Sequence, residues 1–135
     1  MSGSGVLPAV SLSLVLAACS ASDDVGKELY LEYCSSCHGD NLQGQPDWMR
    51  RLPSGRLPAP PHDASGHTWH HSDKQLLAVI RDGLETMAPG YETDMPAFAA
   101  VLTDTEIMAI IDYIKSTWPE RERGYQETLN GTSGE

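Results

Sequence analysis

The sequence predicts a small all-α fold of three to five helices, and three observations carry that prediction. Two segments join a capping box to an apolar stripe at helical spacing. Ser72-Asp73-Lys74-Gln75 precedes Leu76, Leu77 and Ile80, and Thr103-Asp104-Thr105-Glu106 precedes Ile107, Ile110, Ile111 and Ile114. A third segment repeats Val25, Leu29 and Tyr33 at i, i+4 and i+8, one face of a helix. No run reads as a strand, and no internal repeat stands out.

The elements follow in chain order. Val6 to Ala18 is an apolar segment of signal-peptide length ending in small residues, so 1–18 reads as a leader and 19–23 as an anchor and short linker. Asp23 or Asp24 can cap the first helix, which runs to about Cys34 with acidic side chains near its positive end. Residues 39–71 are rich in Gly and Pro and read as a long loop. The second stripe opens at Ser72 and stops at Gly83, a good C-terminal residue. The closing helix opens at Thr103, and Trp118-Pro119 ends or kinks it. Residues 129–135 read as a frayed tail, which leaves 24–128 as one domain.

Composition excludes several functions. The chain has 135 residues and a net charge of −10, and residues 1–18 carry no charged side chain. Such a balance argues against nucleic-acid binding, which needs a basic face to displace counterions, and against electrostatic docking on anionic lipid. No apolar run reaches the ~18 residues of a transmembrane helix. Only 40% of residues are hydrophobic and there is a single Phe, so the core is thin for its size. A large apolar group would fill it.

The cysteines name that group. Cys34-Ser35-Ser36-Cys37-His38 is C-x-x-C-H, the attachment sequence of a c-type haem. Two thiols on one turn can add to the two vinyl groups of a porphyrin, and the adjacent His38 supplies an imidazole to iron. A thioredoxin-like C-x-x-C would need a βαβ context, and a zinc site would need a second ligand pair. The remaining cysteine has its own setting. Leu16-Ala17-Ala18-Cys19 resembles the lipobox of bacterial lipoproteins, which implies lipidation at Cys19. Two or three acyl chains would pass the two-signal threshold for stable anchoring. The alternative is a soluble periplasmic protein in which Cys19 is incidental.

Over about residues 23–118 the sequence resembles the class I cytochromes c, both mitochondrial-type and bacterial monohaem. The resemblance rests on the C-x-x-C-H motif, on Asp94-Met95-Pro96-Ala97-Phe98 and on the closing helix. It implies a small cytochrome c fold, one covalent haem c per chain, and first and last helices crossing through Gly26, Tyr30 and Tyr113. It also implies Met95 as the sixth iron ligand opposite His38. A thioether there raises the potential, because soft sulfur favours Fe(II). Met87, also one residue removed from a Pro, is the rival, and His62, His67, His70 or His71 are further alternatives. His38 should donate its second ring N–H to a backbone carbonyl; the resemblance points to Pro60, with Pro58 and Pro61 as neighbours. Trp69 either donates its indole N–H to a haem propionate or packs under the loop. Arg50, Arg51 and Arg56 pair with propionates or face solvent.

The function expected is one-electron transfer in a bacterial respiratory or other periplasmic redox chain. No activated nucleophile or general-base constellation accompanies the motif, so an enzyme acting on a small-molecule substrate is not expected. Expected partners are redox proteins with basic docking faces, and a membrane reached through the lipid anchor, placing the domain on the periplasmic side of the cell envelope. Three alternatives remain: a peroxidase- or sensor-like protein with an open sixth site, a copper-binding accessory protein using His62, His67, His70 and His71, and a subunit of a larger oxidoreductase.

Overall fold

The protein is described from a computed structural model. The structure describes residues 17–132, with side chains from Asp24 onward. The expected leader therefore lies outside the described residues except for Ala17 and Ala18, and the Cys19 side chain lies outside them too. The described residues contain five α-helices and two 3-10 turns and no strand: α1 (Ala17–Tyr33), α2 (Ser35–His38), a turn at Thr68–His70, α3 (Asp73–Asp82), a turn at Leu84–Thr86, α4 (Asp104–Ser116) and α5 (Glu120–Thr132). The all-α expectation holds, and this is the small cytochrome c fold.

Helix α1 already runs through Ala17, the first described residue, and is not started by a cap on Asp23 or Asp24, so the stretch expected to be a linker is helical. Nothing in Ala-Cys-Ser-Ala-Ser-Asp-Asp breaks a helix, and a formed helix propagates more easily than it nucleates. Both capping boxes are present. Ser72 accepts from the Gln75 amide while Gln75 reaches back to the Ser72 amide, and Thr103 and Glu106 do the same.

Helices α1 and α4 cross in close contact. A Cβ at Gly26 would stand 2.2 Å from the Ala109 carbonyl oxygen, so only glycine allows this approach. Tyr30 packs on Tyr113 with ring centroids 5.5 Å apart. The buried core is Tyr30, Leu42, Leu102, Trp118 and the α4 stripe Ile107, Ile110, Ile111 and Ile114. The crossing expected of Gly26, Tyr30 and Tyr113 is thus present, although α4 is not the last helix.

Helix α5 is the main departure. Residues 129–132, read from the sequence as frayed, are its last turn. The helix is held by polar side chains rather than by an apolar stripe. Gln126 is fully buried and donates to the Asp73 carboxylate and to the His71 carbonyl. Asn130 Nδ2 donates to the same carboxylate and its Oδ1 accepts from the Asp73 amide at 2.8 Å. Lys115 from α4 completes the cluster with an ion pair to Asp73 at 2.9 Å. No hydrophobic period marks such a helix, because its buried contacts are chiefly polar. Pro119 with Glu120 and Glu122 behind it was the available start signal.

Candidate haem-attachment site

Cys34 breaks the line between α1 and α2, and its carbonyl accepts from both the Cys37 and His38 amides. That turn places the two thiols and the His38 ring together. Both cysteines are free thiols, Cys34 half-buried and Cys37 exposed. Burial, with a smaller contribution from Cys37, pushes the Cys34 thiol up to about 11.

His38 is buried, and its Nδ1 lies 2.8 Å from the Pro60 carbonyl oxygen. A carbonyl can only accept, so Nδ1 carries the proton and Nε2 keeps its lone pair. Burial lowers the pKa of His38, and the bond to Pro60 opposes that shift only in part, so the ring stays neutral and able to ligate a metal. The hydrogen bond to Pro60 that the resemblance implied is present.

The loop geometry that makes this bond possible is local to Gly44. Its φ is +67°, and a Cβ there would stand 2.4 Å from the Pro61 nitrogen and 2.6 Å from the Pro60 carbonyl carbon. Next to it, Gln45 and Ala59 exchange hydrogen bonds, the Gln45 amide to the Ala59 carbonyl and the Ala59 amide to Gln45 Oε1, each 2.9 Å. The segment after His38 and the segment carrying Pro60 are therefore clamped side by side.

His62 lies on the other side of the ring. It stacks on His38 with centroids 3.8 Å apart and planes 21° apart. Its backbone is held at both ends, the amide by the Leu42 carbonyl and the carbonyl by the Trp118 indole N–H at 2.7 Å. Its Nδ1 is buried without a hydrogen-bond partner, and burial lowers its pKa well below the usual histidine value, helped by His38 and His67. The sequence reading grouped His62 with the other loop histidines and missed this stack, because no local signal reports a contact across 24 residues.

Met95 is half-buried in the segment between the second 3-10 turn and α4, where its amide is held by Thr93 Oγ1. That segment is docked onto the end of α3 by Phe98 and Ala99, whose amides bond the Ile80 and Arg81 carbonyls. Phe98 meets Tyr33 edge-on at 6.3 Å, and Tyr33 directly precedes Cys34. Met87 is exposed, and so is Met49.

Other expected residues have protein partners. The Trp69 indole N–H, expected either to reach a propionate or to pack under the loop, donates to the Gly66 carbonyl at 3.1 Å. Its ring is packed between Tyr125 and the Arg121 guanidinium of α5. Arg56 pairs with Asp94, beside Met95, and Arg51 lies over the Tyr91 ring and bonds the Gly55 carbonyl. His67 stacks with Trp48 and meets His71 edge-on, while His70 lies against Trp69. Among the described residues no three His, Cys, Asp or Glu side chains converge as a metal site.

The residues fit a covalent porphyrin. Two unpaired thiols on one turn adjoin a neutral imidazole whose tautomer frees Nε2. Helix α3 has a capping box and an apolar stripe, yet Leu76, Leu77 and Ile80 are only half-buried, an apolar wall suited to a large flat group.

Comparison with known proteins agrees with this chemistry. Residues 21–114 match the family model described as cytochrome C oxidase, cbb3-type, subunit III. The chain is 30% identical over 95 residues to the cbb3-type cytochrome c oxidase subunit CcoP of Azospirillum brasilense. That alignment covers 70% of this chain and 28% of the relative, so the chain spans little more than a quarter of it. No solved structure matches.

Proposed function

This chain belongs to the family of cbb3-type cytochrome c oxidase subunit III and carries haem c, and from that premise we propose that it is a one-electron carrier with His38 and Met95 as axial ligands. Bound haem supplies the Fe(III)/Fe(II) couple. The Cys34 and Cys37 thiols would hold the porphyrin as thioethers. His38 would present Nε2 to the iron, and the bond to Pro60 holds its Nδ1 in place. Met95 would supply a thioether sulfur as the second protein ligand, so that both oxidation states could keep their ligands and little rearrangement would accompany electron transfer. The observation that carries this reading is the His38–Pro60 hydrogen bond at 2.8 Å, one residue beyond the two thiols. It is the outer-shell bond that orients a ligating imidazole and raises its basicity.

The match to an oxidase subunit favours a place within or beside a respiratory complex, with the domain facing the periplasm. The net charge of −10 steers it toward basic docking faces. No helix among the described residues is long and apolar enough to cross a membrane. Lipidation at Cys19 would tether the domain, and the lipobox-like Leu16-Ala17-Ala18-Cys19 supports that.

The test is a pyridine haemochrome spectrum and redox titration of the mature protein beside Met95→Ala. Wild type should show thioether-linked haem and the weak far-red band of sulfur-ligated ferric haem. The variant should keep its haem, lose that band and titrate lower by on the order of 0.1 V, within the ~0.8 V range that axial ligands span. A variant with unchanged band and potential would remove Met95 from the iron.

A further inference from the structure

We propose that His62 is a positioning residue that fixes the ring plane of His38. The inference rests on His38 being an axial ligand, as proposed above. A hydrogen bond from Nδ1 to Pro60 fixes one atom of the His38 ring but leaves the plane free to tilt about it. The face contact removes that freedom. With centroids 3.8 Å apart and planes 21° apart, His38 cannot tilt without driving into His62.

His62 is built to resist that push. Its amide is bonded to Leu42 and its carbonyl to Trp118, a side chain only 2% exposed. Tyr30, fully buried, meets its ring edge-on at 5.8 Å. The two histidines therefore sit between α1, Trp118 just beyond α4, and the Gly44-to-Pro61 clamp.

His62 is also an expensive choice for mere filling. Its Nδ1 is buried and unpartnered, and an apolar side chain would avoid that penalty. Leu or Met would fill the volume but offers no flat face. A flat ring parallel to the ligand is what the position holds, and it serves the orientation of the ligand rather than its hydrogen bonding.

The plane of an axial imidazole selects which iron d orbital holds the unpaired electron of low-spin Fe(III). That choice is printed in the proton shifts of the haem methyl groups, a readout independent of electron-transfer activity. Two variants of the holoprotein and one measurement on wild type test the proposal. His62→Phe keeps the flat face and should keep the wild-type order of methyl shifts. His62→Leu removes it and should reorder or compress them. In reduced, diamagnetic wild type, the His38 and His62 ring protons should show mutual Overhauser contacts. Those contacts decide the matter even where His62→Leu fails to mature with haem. A His62→Leu spectrum superposable on wild type, or an absence of ring-to-ring contacts, overturns the role of His62 while His38 ligation stands. A wild-type protein whose iron is not bound by His38 overturns the ligand reading itself.

Discussion

At Gly44 a single methyl group would meet backbone atoms of Pro60 and Pro61 at 2.6 and 2.4 Å. The residue also sits at φ +67°, where an L side chain is strained. Gly44→Ala should therefore cost roughly 1–3 kcal/mol, read as a shift in the denaturation midpoint. It should also push Pro60 off His38, so the imidazole N–H resonance should exchange faster with solvent. This is the scale at which the sequence spoke unevenly. The C-x-x-C-H turn is contiguous, and its residues were legible from their order alone. The partner of His38 was narrowed to Pro58, Pro60 or Pro61, and folding chose Pro60 through the approach that Gly44 permits. Trp69 was legible as a packed aromatic, but its N–H partner, Gly66, is a matter of local backbone conformation. His62 was invisible as a stacking partner, since nothing near it in sequence differs from an ordinary loop histidine.

Helices carry their own stop and start signals, and the capped ones were readable. Thr103→Ala should remove one cap bond and lower stability by about 1 kcal/mol. Gly26→Val reaches further, because the new side chain meets the Ala109 carbonyl, and α1 must move off α4. We expect a loss of roughly 1–3 kcal/mol or more from such overpacking. Denaturant titration of the two variants beside wild type checks both, and Gly26→Val should be the worse. The α1–α4 contact was expected from the resemblance to the class I cytochromes c, whose first and last helices cross at positions that Gly26, Tyr30 and Tyr113 match. Helix α5 was not foreseen as a helix. Its stability comes from Gln126 and Asn130 reaching Asp73, more than 50 residues away in sequence, and no periodic pattern encodes such bonds.

For the molecule as a whole, the histidine-rich turn links acidity to stability. Burial, together with nearby histidines, lowers the pKa values of His67 and His71 below the ordinary 6.5. The unfolded chain thus takes up protons before the folded one as pH falls. Stability is full above the ordinary histidine value and is lost as pH drops below it toward the depressed folded values. Denaturation midpoints should fall as pH drops from neutral through and below the ordinary histidine value, and a His67→Gln/His71→Gln double variant should flatten that fall. Unchanged slopes would show that other groups govern the acid limit. The apolar wall of Leu76, Leu77 and Ile80 makes a second link, since a group bound only by the folded state stabilises it.

Order along the chain settled the all-α class, the two capped helices and the thiol–thiol–imidazole turn. Each depends on residues within a few positions of one another, where backbone geometry leaves little choice. Folding alone decided which carbonyl holds His38, that a second imidazole lies flat against it, and that a polar helix closes the C-terminal side. Those contacts join residues more than 20 apart, and their geometry depends on how loops and helices pack, which no short stretch of sequence contains.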